Sequence, residues 1–153
     1  MRILVFSDTH GFAVNCCPVI DAFDKPDAII HAGDIVNDAK YLKEKYPDIP
    51  VYAVRGNNDL SSDYPDEIKI TLGGKKIFVT HGHRHSVRLG SFLLQDLIRQ
   101  EGYDLVIYGH THNPDHEYFG YSQLLNPGSV FSSRTYGVVE IDDGRMRVSI
   151  QKL

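Results

Sequence analysis

What most limits the fold of this chain is a junction that recurs five times: a short apolar, mostly β-branched run that stops at a cluster carrying carboxylate, amide or imidazole side chains. The runs are residues 3–6, 28–31, 51–54, 77–80 and 105–108. The clusters that follow are Ser7-Asp8-Thr9-His10, Gly33-Asp34, Gly56-Asn57-Asn58-Asp59, His81-Gly82-His83 and Gly109-His110-Thr111-His112. Runs this short and this apolar read as strands buried on both faces. Neighbouring clusters lie 23 to 29 residues apart, about one strand and its return crossing. Strands joined in that way share a direction, so their C-terminal ends line one edge and the loops after them converge into a crevice. The five clusters are therefore expected to meet in space.

Between the runs, residues 15–23, 38–46 and 86–100 carry apolar side chains at three and four spacing and predict helices, with Asn15, Asp38 and Ser86 as N-caps. Pro18 falls in a first helical turn, where no intrahelical hydrogen bond is lost. Later in the chain, residues 69–72 and 76–79 flank Gly73-Gly74, and residues 138–141 and 146–150 flank Asp143-Gly144. Both pairs predict antiparallel hairpins. Strand and helix alternation followed by hairpins implies an α/β fold of mixed sheets with helices packed outside. With 153 residues, an average 42% hydrophobic content and no linker or repeat, residues 1–153 read as one domain.

Several function classes drop out. The net charge is -4 and no run of Lys or Arg occurs, which argues against nonspecific binding of nucleic acid or a membrane surface. No apolar run approaches the roughly 18 residues of a membrane span. The first apolar run ends after four residues, too few for a secretory segment, so a cytoplasmic protein is expected. Cys16 and Cys17 are adjacent and read as small apolar helix residues. No G-x-x-x-x-G-K-[ST] or G-x-G-x-x-G occurs, Gly120 stands where H-E-x-x-H from His116 needs its second histidine, and the stretch from Gly120 to Leu124 lacks the last glycine of a nucleophile elbow.

Asp8, His10, Asp34, Asn57, His81, His110 and His112 offer only oxygen and imidazole nitrogen, and they are too many for one tetrahedral ion. Two ions fit better. Carboxylate mixed with neutral imidazole suits Mn, Fe, Zn, Co or Ni, whereas Ca and Mg favour all-oxygen cages. Gly33, Gly56, Gly82 and Gly109 beside these residues are expected to allow the turns that aim them inward. A hydrogen-bonded polar network without metal is the blander account of the same clusters. His31 lies inside a strand and reads as a hydrogen-bonded core residue, while His85 and His116 read as solvated.

The ordered set D-x-H, G-D, G-N-x-D, H-G-H and G-H-T-H, from Asp8 to His112, resembles the calcineurin-like binuclear metallophosphoesterases, most closely their small YfcE-type phosphodiesterase branch. The turn Asn126-Pro127-Gly128-Ser129 and the closing hairpin are similar to that branch too. The resemblance implies a four-layer αββα sandwich, two mixed sheets flanked by helices. It also implies two divalent metals, manganese first with Ni, Zn, Fe or Co compatible. Asp8, His10 and His112 would hold one metal, Asn57, His81 and His110 the other, and Asp34 would bridge them. Asp59 matches a supporting acid, and His83 a further histidine on the substrate side. Related enzymes often carry a proton-donating histidine where this chain has Asn58.

The activity so implied is hydrolysis of a small phosphodiester by a hydroxide bridging the two metals. Two divalent cations, two aspartates and that hydroxide leave about one positive charge to attract phosphate. With Asn58 in place of the histidine, esters with stable leaving groups are expected to be preferred. The alternative is a non-catalytic interaction scaffold of the retromer-subunit type, which shares the scaffold. A nuclease would need a basic rim, for which Arg55, Arg84 and Arg88 are the nearest candidates. Tyr118, Phe119, Tyr121 and Phe131 offer an apolar contact for a homo-oligomer, although core burial is the expected role.

Overall fold

In the computed structural model, which describes residues 1–153, the chain runs β1 (Arg2–Phe6), α1 (Cys17–Ala22), β2 (Ala28–His31), α2 (Val36–Lys45), β3 (Val51–Ala53), β4 (Glu67–Leu72), β5 (Lys75–Thr80), α3 (Phe92–Glu101), β6 (Leu105–Ile107), β7 (Asp115–Phe119), β8 (Ser122–Asn126), β9 (Thr135–Asp142) and β10 (Arg145–Lys152). Short 3-10 turns occupy Ala13–Cys16, His83–His85 and Val87–Leu89. The strands form two five-stranded mixed sheets, ordered β10-β9-β1-β2-β3 and β4-β5-β6-β8-β7. β1, β2 and β3 are parallel, as are β5, β6 and β8, while the hairpin strands pair antiparallel.

Alternation along each strand explains why its sequence is apolar throughout. In β1, Ile3 and Val5 face the other sheet and Leu4 and Phe6 face the helices; Ile77 and Val79 against Phe78 in β5, and Leu105 and Ile107 against Val106 in β6, repeat the division. The inner faces share one core, drawn from Ile3, Val5, Ile30, Ile77, Val79, Leu105, Ile107 and Leu125. Cys16, Cys17 and Ile20 with Leu42 of α2 cover the outer face of the first sheet. Leu94 and Ile98 of α3 cover the second. The result is the four-layer αββα sandwich. No helix is long and apolar enough to cross a membrane.

Several local expectations need correction. The predicted helix over 86–100 is broken: Gly90, at φ 131°, separates a 3-10 turn from α3, so Ser86 caps only that turn and Ser91 stands at the N-cap of α3. Asn15 lies within a 3-10 turn and Asp38 within the first turn of α2, so neither is an N-cap. Pro18 does sit in the first turn of α1. A third hairpin, β7 with β8 around Gly120-Tyr121, has no counterpart among the predicted elements. Tyr118 and Tyr121 at its tip, and Phe131 elsewhere, are exposed rather than core.

Candidate metal centre

The parallel strands deliver the clusters to one place, but across the sandwich rather than along one sheet. Asp8, Asp34 and Asn57 follow β1, β2 and β3, whereas His81 and His110 follow β5 and β6. Cross-sheet hydrogen bonds lock the two sets together. His81 Nδ1 meets the Ala32 carbonyl at 2.8 Å, and the His110 N–H donates to Asp8 Oδ2 at 3.1 Å.

Two groups of ligand-type atoms result. One joins Asp8, His10 and His112, the other Asp8, Asp34 and His81, each with its atoms within 4.8 Å of one another. His10 Nε2 and His112 Nε2 face each other at 3.2 Å, and His112 Nε2 lies 3.1 Å from Asp8 Oδ1. His81 Nε2 stands 3.5 Å from Asp34 Oδ2, 3.9 Å from Asp8 Oδ1 and 3.2 Å from Asn57 Oδ1. The His110 ring packs edge-on against His81, centroids 5.1 Å apart. All seven candidate ligands are therefore neighbours.

The donor set fits divalent cations on observations of this structure. Asp8 is wholly buried, and its Oδ1 receives no hydrogen bond, having only the His112 Nε2 close by at 3.1 Å; Oδ2 takes bonds from Ser7 Oγ at 2.6 Å and from His110 N–H. A buried carboxylate oxygen left without a donor costs roughly 1–3 kcal/mol, so it is expected where a cation completes the site. Donation of Nδ1–H from His81 to Ala32 turns Nε2 toward the cluster, the orientation metal-binding imidazoles need. Burial raises the Asp8 carboxyl above its ordinary value, against the pull of His81. Burial also works against the charge on His81, but Asp34 and Asp8 outweigh it and raise its pKa. In Asp34 the raising effect of burial is overcome by His81 and Asn58, which hold the carboxyl well below its usual range. Burial lowers His110 to about 4.

The backbone is bent to reach this geometry. Asp8, His10, Asp34, His110 and His112 all adopt positive φ, between 45° and 69°. Such residues gather at functional sites because the side-chain placement is worth the local strain. The glycines act in two ways rather than one. Gly33 and Gly82 have positive φ, as expected. Gly56 and Gly109 instead permit close approach: a Cβ on Gly56 would collide with the Asp34 carboxylate, and one on Gly109 with Ser7 Oγ and Asp8 Oδ2.

The remaining candidates divide. Asn58 is exposed but donates from its backbone N–H and Nδ2 to the two oxygens of Asp34, at 3.0 and 2.7 Å. Asp59 spends Oδ1 on the Val36 N–H and Oδ2 on the Gly56 N–H, so it ties α2 to the loop after β3 and does not reach the cluster; among the catalytic candidates it is a positioning residue. His83 is half-buried, with its Nδ1 unpartnered, and burial lowers its pKa. It lines a cavity of about 260 Å³ with Asn57, Arg55, Arg84 and Asp66. His31 is fully buried, meets Thr9 Oγ1 at 2.9 Å and is lowered by burial to about 4. His85 and His116 are half-buried and partnered rather than freely solvated: His85 lies edge-on to Phe78 with Nε2 3.3 Å from Glu67, and His116 Nε2 meets Gln123 Oε1 at 2.8 Å. Glu67 lies on β4, 18 residues from His85, and Gln123 lies across the β7–β8 hairpin from His116, pairings that local spacing does not register.

Ser7, Asp38 and Ser129 support the centre without having been singled out for it. Ser129 Oγ donates to the Asp8 carbonyl at 2.8 Å, and Asp38 Oδ2 accepts from the Gly11 N–H at 2.8 Å. The only signal for Ser129 in the sequence was its place in the turn after Asn126.

Comparison with known proteins identifies the family of the chain. The model of the calcineurin-like phosphoesterase superfamily domain matches residues 1–144. The probable metallophosphoesterase YsnB of Bacillus subtilis is 34% identical over 134 residues, 85% of this chain and 75% of the relative. Phosphodiesterase MJ0936 of Methanocaldococcus jannaschii is 31% identical over 144 residues, 84% and 83% of the two chains. A Streptococcus pneumoniae TIGR4 protein, described as a predicted phosphoesterase, superposes with a TM-score of 0.83 at 31% identity over 99% of this chain and 88% of its own. Vps29 of Entamoeba histolytica, crystallised with zinc, is 21% identical with a TM-score of 0.78 over 99% and 98% of the chains, and shares the fold. The chain belongs to the calcineurin-like phosphoesterase superfamily.

Proposed function

We propose that residues 1–153 form one domain that hydrolyses small phosphodiesters with two bound divalent metals, manganese first among them. The observation that carries this is the buried, unpartnered Asp8 Oδ1 set between the His10–His112 pair and the Asp34–His81 pair. Asp8, His10 and His112 would hold one cation and Asn57, His81 and His110 the other, with Asp34 between them. When bound, such cations supply positive charge to phosphate oxygens and an acidified water. The chain holds the centre in shape: Asn58 fixes the Asp34 carboxylate with two hydrogen bonds, and Ala32 fixes the His81 tautomer.

Asn58 has no proton to give to a departing oxygen at neutral pH. His83, its ring 5.5 Å from that of His81, has its pKa lowered chiefly by burial, which disfavours the protonated form a proton donor needs. Aryl esters, whose leaving groups need little protonation, therefore suit this site. A polyanionic nucleic acid suits it less, because Arg55 and Arg84 both engage Asp66, at 2.8 and 3.1 Å. The intact donor set favours catalysis over the scaffold reading. A cytoplasmic place of action belongs to the same proposal and rests on the sequence. The test is bis(4-nitrophenyl) phosphate hydrolysis after chelation and on readdition of Mn, Ni, Co or Zn: activity should vanish and return, and activity indifferent to the chelator would overturn the reading.

A further inference from the structure

Two aromatic rings beside the centre have no role in the chemistry above. Phe12 and Phe131 stack, centroids 5.1 Å apart and planes 27° from parallel, while remaining 44% and 51% exposed. Phe131 also meets the His10 ring edge-on at 5.8 Å, and His10 lies 5.1 Å from the His112 ring, so the pair is continuous with the centre. Both phenylalanines are tethered to the loop that carries Asp8. The Phe12 N–H donates to the Thr9 carbonyl at 2.9 Å, and the Phe131 N–H to Ser129 Oγ at 3.1 Å and to the Asp8 carbonyl at 3.4 Å.

A single exposed aromatic residue is ordinary. Two rings stacked in water and pinned by backbone bonds to a reactive loop form a rigid apolar shelf, whose free surface gains most from a flat partner. The cavity beside His83 is lined mainly by polar and charged side chains, Arg55, Asp66 and Arg84 among them, with Leu60 its one apolar residue. The stacked pair offers an apolar ester group an aromatic surface at the centre.

We propose that Phe12 and Phe131 form a specificity subsite that receives a flat substituent, an aryl ring or a heteroaromatic base, of the phosphoester bound at the adjoining centre. The inference rests on the phosphoesterase reading. Stacking tolerates any ring, so the subsite selects a class of substituent rather than one base.

Phenylphosphonate and methylphosphonate isolate the effect, since they share the phosphoryl group and differ in the ring. Calorimetric titration of the Mn-loaded protein should show phenylphosphonate binding about tenfold more tightly, in the range stacking provides. Phe12→Ala and Phe131→Ala should bring the preference close to parity. Phe12→Leu, which keeps apolar bulk, should reduce it as well, with a thermal melt checking that each variant folds. Equal binding of the two phosphonates by a wild-type protein that hydrolyses bis(4-nitrophenyl) phosphate would overturn the subsite alone. If neither phosphonate binds and the diester is untouched, the phosphoesterase reading falls with it. A preference that survives both alanine variants, while sedimentation shows Phe131→Ala splitting a wild-type dimer, would overturn the subsite and assign the rings to a contact between copies.

Discussion

Asp8→Asn separates the two things a buried carboxylate can do, support the fold or hold a cation, because they call for opposite signs. Asparagine has nearly the same shape. Its carbonyl oxygen can take the place of Oδ2 and accept from Ser7 Oγ and the His110 N–H, while its amide can donate toward His112 Nε2, 3.1 Å from the present Oδ1. In chelator the change removes a buried charge with an unpartnered oxygen, which costs about 1–3 kcal/mol. For a chain of this size each kcal/mol moves Tm by about 2–4 °C. The chelated variant should therefore melt several degrees above chelated wild type. Because burial raises the folded-state pKa of Asp8, that advantage should be full above the raised pKa and shrink as pH falls through it, where wild type protonates and loses the same charge. In Mn at a thousand times Kd, wild type should gain about 4 kcal/mol, about 10 °C, and the variant little. Thermal unfolding of both proteins in EDTA and in Mn measures all of these. A variant that loses the same stability with and without metal would refute the reasoning and make Asp8 a structural acid.

Other substitutions probe the remaining parts. Asp34→Asn should lower turnover by at least a hundredfold, and full activity at saturating Mn would refute its bridging place. Gly56→Ala forces a methyl group into the Asp34 carboxylate and should weaken metal binding about 10- to 100-fold by calorimetry, with a stability loss of about 1–3 kcal/mol in denaturant unfolding. Asp59→Ala leaves the Val36 and Gly56 N–H groups without acceptors; it should cost about 1–3 kcal/mol in chelator, and kcat should fall less than for Asp34→Asn. Asn58→His keeps the backbone bond to Asp34 but gives up the Nδ2 bond, so aryl esters should slow, while kcat on alkyl relative to aryl esters should rise by up to about a hundredfold.

The centre was legible because its donors follow strands that are apolar on both faces, and that pattern survives in a linear reading. Asp8, Asp34 and His81 are displayed by β1, β2 and β5, whose last four residues are buried on both faces. What escaped had weaker local marks. β7 is an edge strand of largely exposed and half-buried residues, Asp115 to Phe119, so no alternation of apolar residues announced it. The break at Gly90 is a backbone event inside a stretch whose apolar spacing reads as continuous helix. His85 and His116 found partners in Glu67 and Gln123, on neighbouring strands, and Asp59 turned from the cluster because two backbone N–H groups stood nearer. Phe131 looked like core by composition, yet tertiary placement left it at the rim of the centre.

Crystals of the chelated protein soaked in Mn and recorded on both sides of its absorption edge address the central claim most directly. Two anomalous peaks are expected, one among Asp8, His10 and His112 and the other among Asn57, His81 and His110, with Asp34 reaching both. A difference map without peaks there, from crystals of protein that still hydrolyses phosphodiesters, would contradict the account.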